Sequence, residues 1–499
     1  MIRLMRLAAR SAVAVVGTVL IGAIVPSAVL AHALDATFES RLPLVAYLAG
    51  AAGAVALSFI FVLVRSTPAG PSADDRDDEH RTITVPGWMR IALRASGLLA
   101  WSWILAQGII GGSSDADVMT LFLWVYGWVG VAIVSAFIGP IWHWLDPFAT
   151  LYDMGAWVIR RGQGPGDEAG GEARGEAGGD DEWTDDEVTT VPGLGRWPAV
   201  AGLALFIWLE LAMGGGGRTL FIVVMGYTAV TLTAMALYGR DTWRSSGETF
   251  SVWFGLLGRM APLATAGDGV LRRRGFAVGV LDRGWTVPDV VLIALGIGSI
   301  LFDGLSQTQL FFDLFGAPPP IAITVILGAF LALVTSLALS AARWVGLAAA
   351  GAGLLPIAVG YLVAHYLTFL LIDGQRILVA ISDPFQQGWD LFGTAFFEPS
   401  GAWLPPGLVW TFQLLAVVGG HMIGAWAGHA AVAEVDPNPA GQRWLDGRIR
   451  QIPLALVMVM LTTVTLWSLG QAVVKEPAET PVTATAVAVS SRSAGTSAP

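Results

Sequence analysis

Apolar runs alternate with short polar connections along most of the chain, and each run is about as long as the 17 to 25 residues that carry a helix across a bilayer. Ten such runs follow the N-terminal stretch: Leu44 to Val64, Ala95 to Gly111, Val118 to Trp142, Trp197 to Met213, Leu220 to Tyr238, Pro288 to Leu305, Ile321 to Ser340, Trp344 to Ile372, Leu408 to Val432 and Pro453 to Leu469. The pattern predicts an all-α fold, a polytopic transmembrane helical bundle. A different layout precedes it, with Arg3, Arg6 and Arg10 ahead of the apolar run Ser11 to Val25, then Pro26 and "SAVLAHAL". That is the arrangement of a secretory signal peptide, with cleavage after Ala31 or Ala33. An uncleaved signal anchor is the competing reading, because short apolar cores and true spans overlap in length.

The arginines test this count independently, since cytoplasmic loops carry the excess of Lys and Arg. With the mature N-terminus outside, the five inner connections hold twenty arginines, whereas the outer segments hold only Arg41, Arg218, Arg376, Lys475 and Arg492. A miscounted span would have scrambled that alternation.

Three segments fall outside the scheme. "FSVWFGLLGRMAPL", from Phe250, is too short for a span and reads as a helix lying in the cytoplasmic interface. The linker over 161–196 is acidic and glycine-rich, which predicts disorder and a solvated spacer rather than a cation loop. The tail over 472–499 is rich in Ser, Thr, Ala and Val and is expected to be disordered and external. One echo stands out: "DPFATLYD" from Asp146 follows the third span and "DPFQQGWD" from Asp383 follows the eighth. Five helices lie between them, as a five-plus-five inverted repeat would require. The plainer reading is that Asp-Pro is a good cap and first-turn pair, arising twice.

Composition agrees with the pattern. Hydrophobic side chains make up 55% of the 499 residues, charged ones 13%, and mean hydropathy is +0.65, far from a soluble domain. The net charge of -10 reflects ten acidic residues within the linker, so it gives no reason to expect nucleic acid. There is no cysteine, which excludes disulfides, thiolate catalysis and Cys-ligated metals.

Polar residues in or at the ends of spans collect on the outer side. His365, in "GYLVAHYLTFLLIDG", lies within the eighth span; Glu210 ends the fourth; His421 lies two turns inside the ninth; and His32 emerges on the same face if cleavage follows Ala31. Intramembrane ionisable residues are costly and face protein or water rather than lipid. These four are the candidate ligands of a transition metal such as Cu or Zn, which imidazole and carboxylate suit. Asp303, Asp373, Gln107 and Gln413 are candidate supporting or entry residues. No ligand spacing such as His-Glu-x-x-His occurs, so the site would be assembled from separate helices. The alternative is a local hydrogen-bond partner for each group and no ligand. In "GGHMIGAWAGHAA", Gly420, Gly424 and Gly428 recur every fourth residue, a face on which another helix packs closely. A haem between His421 or His429 and a facing imidazole ranks below metal transfer, and His143 reads as an ordinary interface histidine. No Gly-x-Ser-x-Gly elbow or Ser-x-x-Lys signature occurs, so hydrolysis would need a metal-bound water.

At "AHALDATFESRLPL", "WPAVAGLALFIWLELAM", "FDGLSQT", "PIAVGYLVAHYLTFLLIDGQ" and "SDPFQQGWDLFGTA" the chain resembles bacterial and archaeal polytopic membrane proteins labelled fenitrothion hydrolase. The resemblance implies membrane-associated cleavage of an organophosphate ester and supplies no catalytic motif. The expectation is a plasma-membrane protein that moves a metal ion or small polar solute. A metal-assisted hydrolase, or a non-catalytic subunit with a membrane or extracytoplasmic protein partner, is the alternative.

Overall fold

A computed structural model describes Gly53 and residues 81–112, 117–162, 190–213, 217–267, 269–282, 284–435 and 442–469. The signal peptide, the first span apart from Gly53, His32, most of the acidic linker and the tail lie outside the described residues.

The described chain is a helical bundle. Its main helices are α1 (Gly87–Ile110), α2 (Val118–Phe137), α3 (Pro147–Gly162), α4 (Trp197–Met213), α5 (Gly217–Tyr238), α6 (Thr249–Leu257), α7 (Val287–Ser306), α8 (Pro320–Val345), α9 (Leu347–Asp373), α10 (Pro406–Val435) and α11 (Gln442–Leu469). Eight of them are long and apolar enough to cross a membrane, and α4 is a shorter apolar helix. Nine of the apolar runs read from the sequence are therefore helices here, most of them longer than the run itself. The extensions are end turns that carry charged residues, such as Gly87–Arg94 on α1 with Arg90 and Arg94, and a run defined by unbroken apolar length leaves them out.

Helices α7 and α9 form the centre. From Ala349 to Ala364 every residue of α9 is buried, and α7 is buried from Asp289 to Phe302. A helix apolar on all sides has no face for water and is stable when enclosed. By contrast, α1, α8 and α10 are covered over a minor part of their length and expose side chains such as Leu99, Val325 and Leu415.

The contact between α9 and α10 follows from glycine. A Cβ on Gly360 would lie 2.6 Å from the Ala416 carbonyl oxygen, and one on Gly420 would lie 2.6 Å from that of Pro356. Only glycine allows the backbones to approach this closely, so the stripe beginning at Gly420 is a packing face, as its spacing predicts.

At one end of the bundle a three-stranded antiparallel sheet joins distant parts of the chain. Strand β1 (Thr82–Thr84) pairs with β3 (Val270–Arg273), which pairs with β2 (Leu263–Gly267). Short strands were not expected from the sequence, because runs of three to five residues carry no strong alternation.

Two expectations need correction. Helix α6 is not spread on a surface: Val252, Trp253, Phe254, Leu256 and Leu257 are all buried, and the Trp253 ring stacks on Trp128 at 5.9 Å. Its apolar residues surround the helix instead of forming one stripe, so the bundle takes it in. The Asp-Pro echo does not give two like structures. Asp146 caps α3, accepting from the amides of Phe148 and Ala149 at 2.9 and 3.1 Å. Asp383 instead closes a non-helical turn by accepting from the Gln387 and Gly388 amides at 2.8 and 2.9 Å.

Candidate functional site

Helices α4, α7, α9 and α11 all run from the sheet end towards the opposite end; Asp303 lies in the last turn of α7, and His365 meets it from about two turns before the end of α9. Nε2 of His365 lies 2.8 Å from Asp303 Oδ2, the Tyr366 hydroxyl donates to the same oxygen at 3.3 Å, and Gln307 Nε2 donates to Oδ1 at 3.1 Å. The side chains of His365 and Asp303 are about one-fifth exposed, so the pair is neither sealed nor in open water. Gly304 brings α11 close: a Cβ there would lie 3.2 Å from Ser468 Oγ and 3.8 Å from His365 Cε1.

Glu210, on α4, lies within electrostatic reach of Asp303 and Tyr366. It sits in the π-helical turn Leu209–Met213 that ends the helix, a distortion frequent at functional sites. Its Oε2 is buried with no hydrogen-bond partner among the described residues, and its charge repels that of Asp303. Tyr366 feels both carboxylates. The Trp128 indole, on the π-helical stretch Leu121–Val131 of α2, interacts with the Tyr366 hydroxyl without completing a hydrogen bond.

The electrostatics of the cluster are one-sided. Helix C-termini carry about half a negative charge, and both carboxylates lie in the last turn of their own helix, Asp303 on α7 and Glu210 on α4. A buried, unpartnered carboxylate oxygen is costly. Such a group is stabilised by a proton or by a cation, and the His365 imidazole beside Asp303 is a further ligand that a cation would meet. The arrangement suits reversible binding of a cation in exchange for protons.

The other sequence candidates are placed elsewhere. His421 is fully buried on α10, with Nδ1 2.8 Å from the Val417 carbonyl oxygen and Nε2 against the Thr462 hydroxyl and, at 3.1 Å, the Met458 carbonyl oxygen. A neutral ring donating from Nδ1 and accepting from Thr462 satisfies both nitrogens without a metal. His429 bonds Gln451 at 3.0 Å. Gln107 is a joint: its Oε1 accepts from the Val118 amide at 2.8 Å and its Nε2 donates to the Pro384 carbonyl oxygen at 3.3 Å. Gln413 ties α10 to α9 by donating to the Ala364 carbonyl oxygen at 2.9 Å. Asp373 pairs with Arg376 at 3.3 Å near the end of α9. No group of three or more His, Asp or Glu side chains is arranged as a metal cage among the described residues. A metal at Asp303 and His365 would thus need Glu210 to move in, or water, to fill its coordination.

Tyr366 and Ser468 are cluster members that the sequence reading did not single out. Tyr366 directly follows His365, a signal that was available; Ser468 looks like any serine near a helix end.

A second polar cluster, at the sheet end, is fully paired. Buried Glu248 caps α6 by accepting from the Ser251 and Phe250 amides at 2.6 and 3.1 Å, and it also accepts from the Tyr227 hydroxyl at 2.5 Å. Burial raises its carboxyl above the usual range, and the nearby Asp146 charge adds to the rise. Asp146 pairs with Arg244 at 2.9 Å, and Asp289 with Arg196 at 2.6 Å. These groups hold helix starts together.

In comparisons with protein-family models, curated proteins and solved structures, nothing matches the chain.

Proposed function

We propose that this chain is an integral plasma-membrane protein that binds and moves a cation, a transition-metal ion being the sharpest case, or another small polar solute, through the Glu210, Asp303 and His365 cluster. The ten-span arrangement with N-terminus and tail outside puts that cluster in the outer half of the bundle. The observation that carries the reading is the buried Oε2 of Glu210, which has no partner among the described residues and lies within electrostatic reach of Asp303, itself bonded to His365. His421 leaves the ligand set, because its ring is already satisfied. His32 stays in it as a ligand arriving from outside the described residues.

The hydrolase implied by the resemblance would draw on the same residues, with a metal-bound water as the nucleophile. One experiment divides the readings: Zn and Cu analysis of the purified protein together with a phosphotriester assay with and without chelator. Retention of metal or equilibrium cation binding without turnover supports transfer. Turnover lost with chelator supports hydrolysis. Neither result would leave the cluster as a structural one in a non-catalytic subunit.

A further inference from the structure

Helix α3 is held to the bundle by one face and leaves the other uncovered. On the held face Phe148 and Ala149 are buried, and Asp153 pairs with Arg94 and with Arg240, each at 3.1 Å. On the free face, Met154, Trp157 and Val158 are 51%, 54% and 60% exposed, and Arg161 follows with its guanidinium 4.0 Å over the Trp157 ring. Positions 154, 157, 158 and 161 fall at i, i+3, i+4 and i+7, so they form one stripe. Arg160 lies beside its end. Arg240, just past the end of α5, and Arg94, near the start of α1, place the helix at the sheet end of the bundle, the end that carries the arginine-rich connections.

An apolar stripe finished by basic residues is the pattern of a helix seated at a membrane interface. Charge selects the partner further: two adjacent arginines at that depth favour an anionic leaflet, each adding roughly fivefold to the affinity. The Arg161 guanidinium lies over the Trp157 ring, a cation–π contact that holds the charge at the rim of the apolar patch, where phosphate would be met. We infer that the Met154, Trp157, Val158 and Arg161 face of α3 is seated in the inner leaflet, with Arg160 and Arg161 on anionic phospholipid headgroups. This inference needs only the bilayer and the arginine-based sidedness, and it stands apart from the cation cluster.

The absence of native cysteine makes the test direct. The full chain carrying Val158→Cys is spin-labelled and reconstituted in phosphatidylcholine alone or mixed with phosphatidylglycerol, and collision with oxygen is compared with collision with an aqueous nickel chelate. A second label at Met225, on an exposed position of α5, reports that the bundle is intact. The expected result is an oxygen-accessible label at 158 whose lipid-exposed population grows with phosphatidylglycerol. Arg160→Gln with Arg161→Gln should reduce that growth by an order of magnitude or more, about fivefold per arginine, with Met225 unchanged. A label reached equally by nickel in both lipids overturns the inference and leaves a solvated or protein-docking face. A label shielded from both probes, and released when residues 163–189 are removed, overturns it in favour of the acidic stretch of the same chain.

Discussion

His365 answers to Asp303, and the two must be tested together with Glu210. His365→Leu makes α9 more apolar, so insertion should persist while cation retention is lost; a purely structural histidine would show a stability change of about 1 kcal/mol with function kept. Glu210→Gln preserves shape and removes charge, and should weaken cation binding by at least about tenfold, equivalent to 1.4 kcal/mol, as read by isothermal titration. His421→Ala is the contrast: thermal unfolding should report a loss of about 1 to 2 kcal/mol, with binding unchanged. Asp390 gives a pH prediction outside the helices. The Ala395 amide and then the Ser382 hydroxyl hold its carboxylate below the usual range. A lowered value stabilises the folded loop above the ordinary aspartate pKa of about 4, and this is lost as pH falls through the folded value. The protection of the Ala395 amide relative to its intrinsic exchange rate should therefore fall below about pH 4, and Asp390→Asn should remove that dependence.

At the scale of elements, the sequence was most legible where one physical signal dominates. Spans follow from apolar length, and the Gly420 stripe follows from a spacing of four. Gly420→Ala should force α9 and α10 apart and destabilise the bundle by about 1 to 3 kcal/mol; unchanged unfolding in detergent would contradict the close contact. What was not legible depends on partners distant in sequence. Asp303 and His365 are joined across 62 residues, and no local pattern says that an aspartate one turn from a helix end turns inward rather than to headgroup water. The short strands also depend on each other, since β1 has no partner until β3 arrives from nearly two hundred residues away. The two Asp-Pro-Phe segments show the reverse error: like residues served unlike structures, because the helix that follows Asp146 has no counterpart after Asp383.

On the scale of the whole molecule, the sheet requires residues 82–84 and 263–273 to lie on one side of the membrane, as the arginine count has them inside. Cysteine placed at Ala264 should react with an impermeant thiol reagent only in inverted vesicles, and cysteine at Phe396, which is almost wholly exposed, only in intact cells. Labelling of a cysteine at residue 170 from outside would invert or discard the topology.

The enclosure of α7 and α9 also sets a direction of approach. Among the described residues the enclosure covers 289–302 of α7 and 349–364 of α9 and stops just short of Asp303 and His365, so a solute would come to the pair past the ends of those stretches. Traffic to His365 would run along the bundle axis. A lone cysteine at 365 should thus be reached by a small charged reagent from the face where those helices end, and no faster by a lipophilic reagent of equal size.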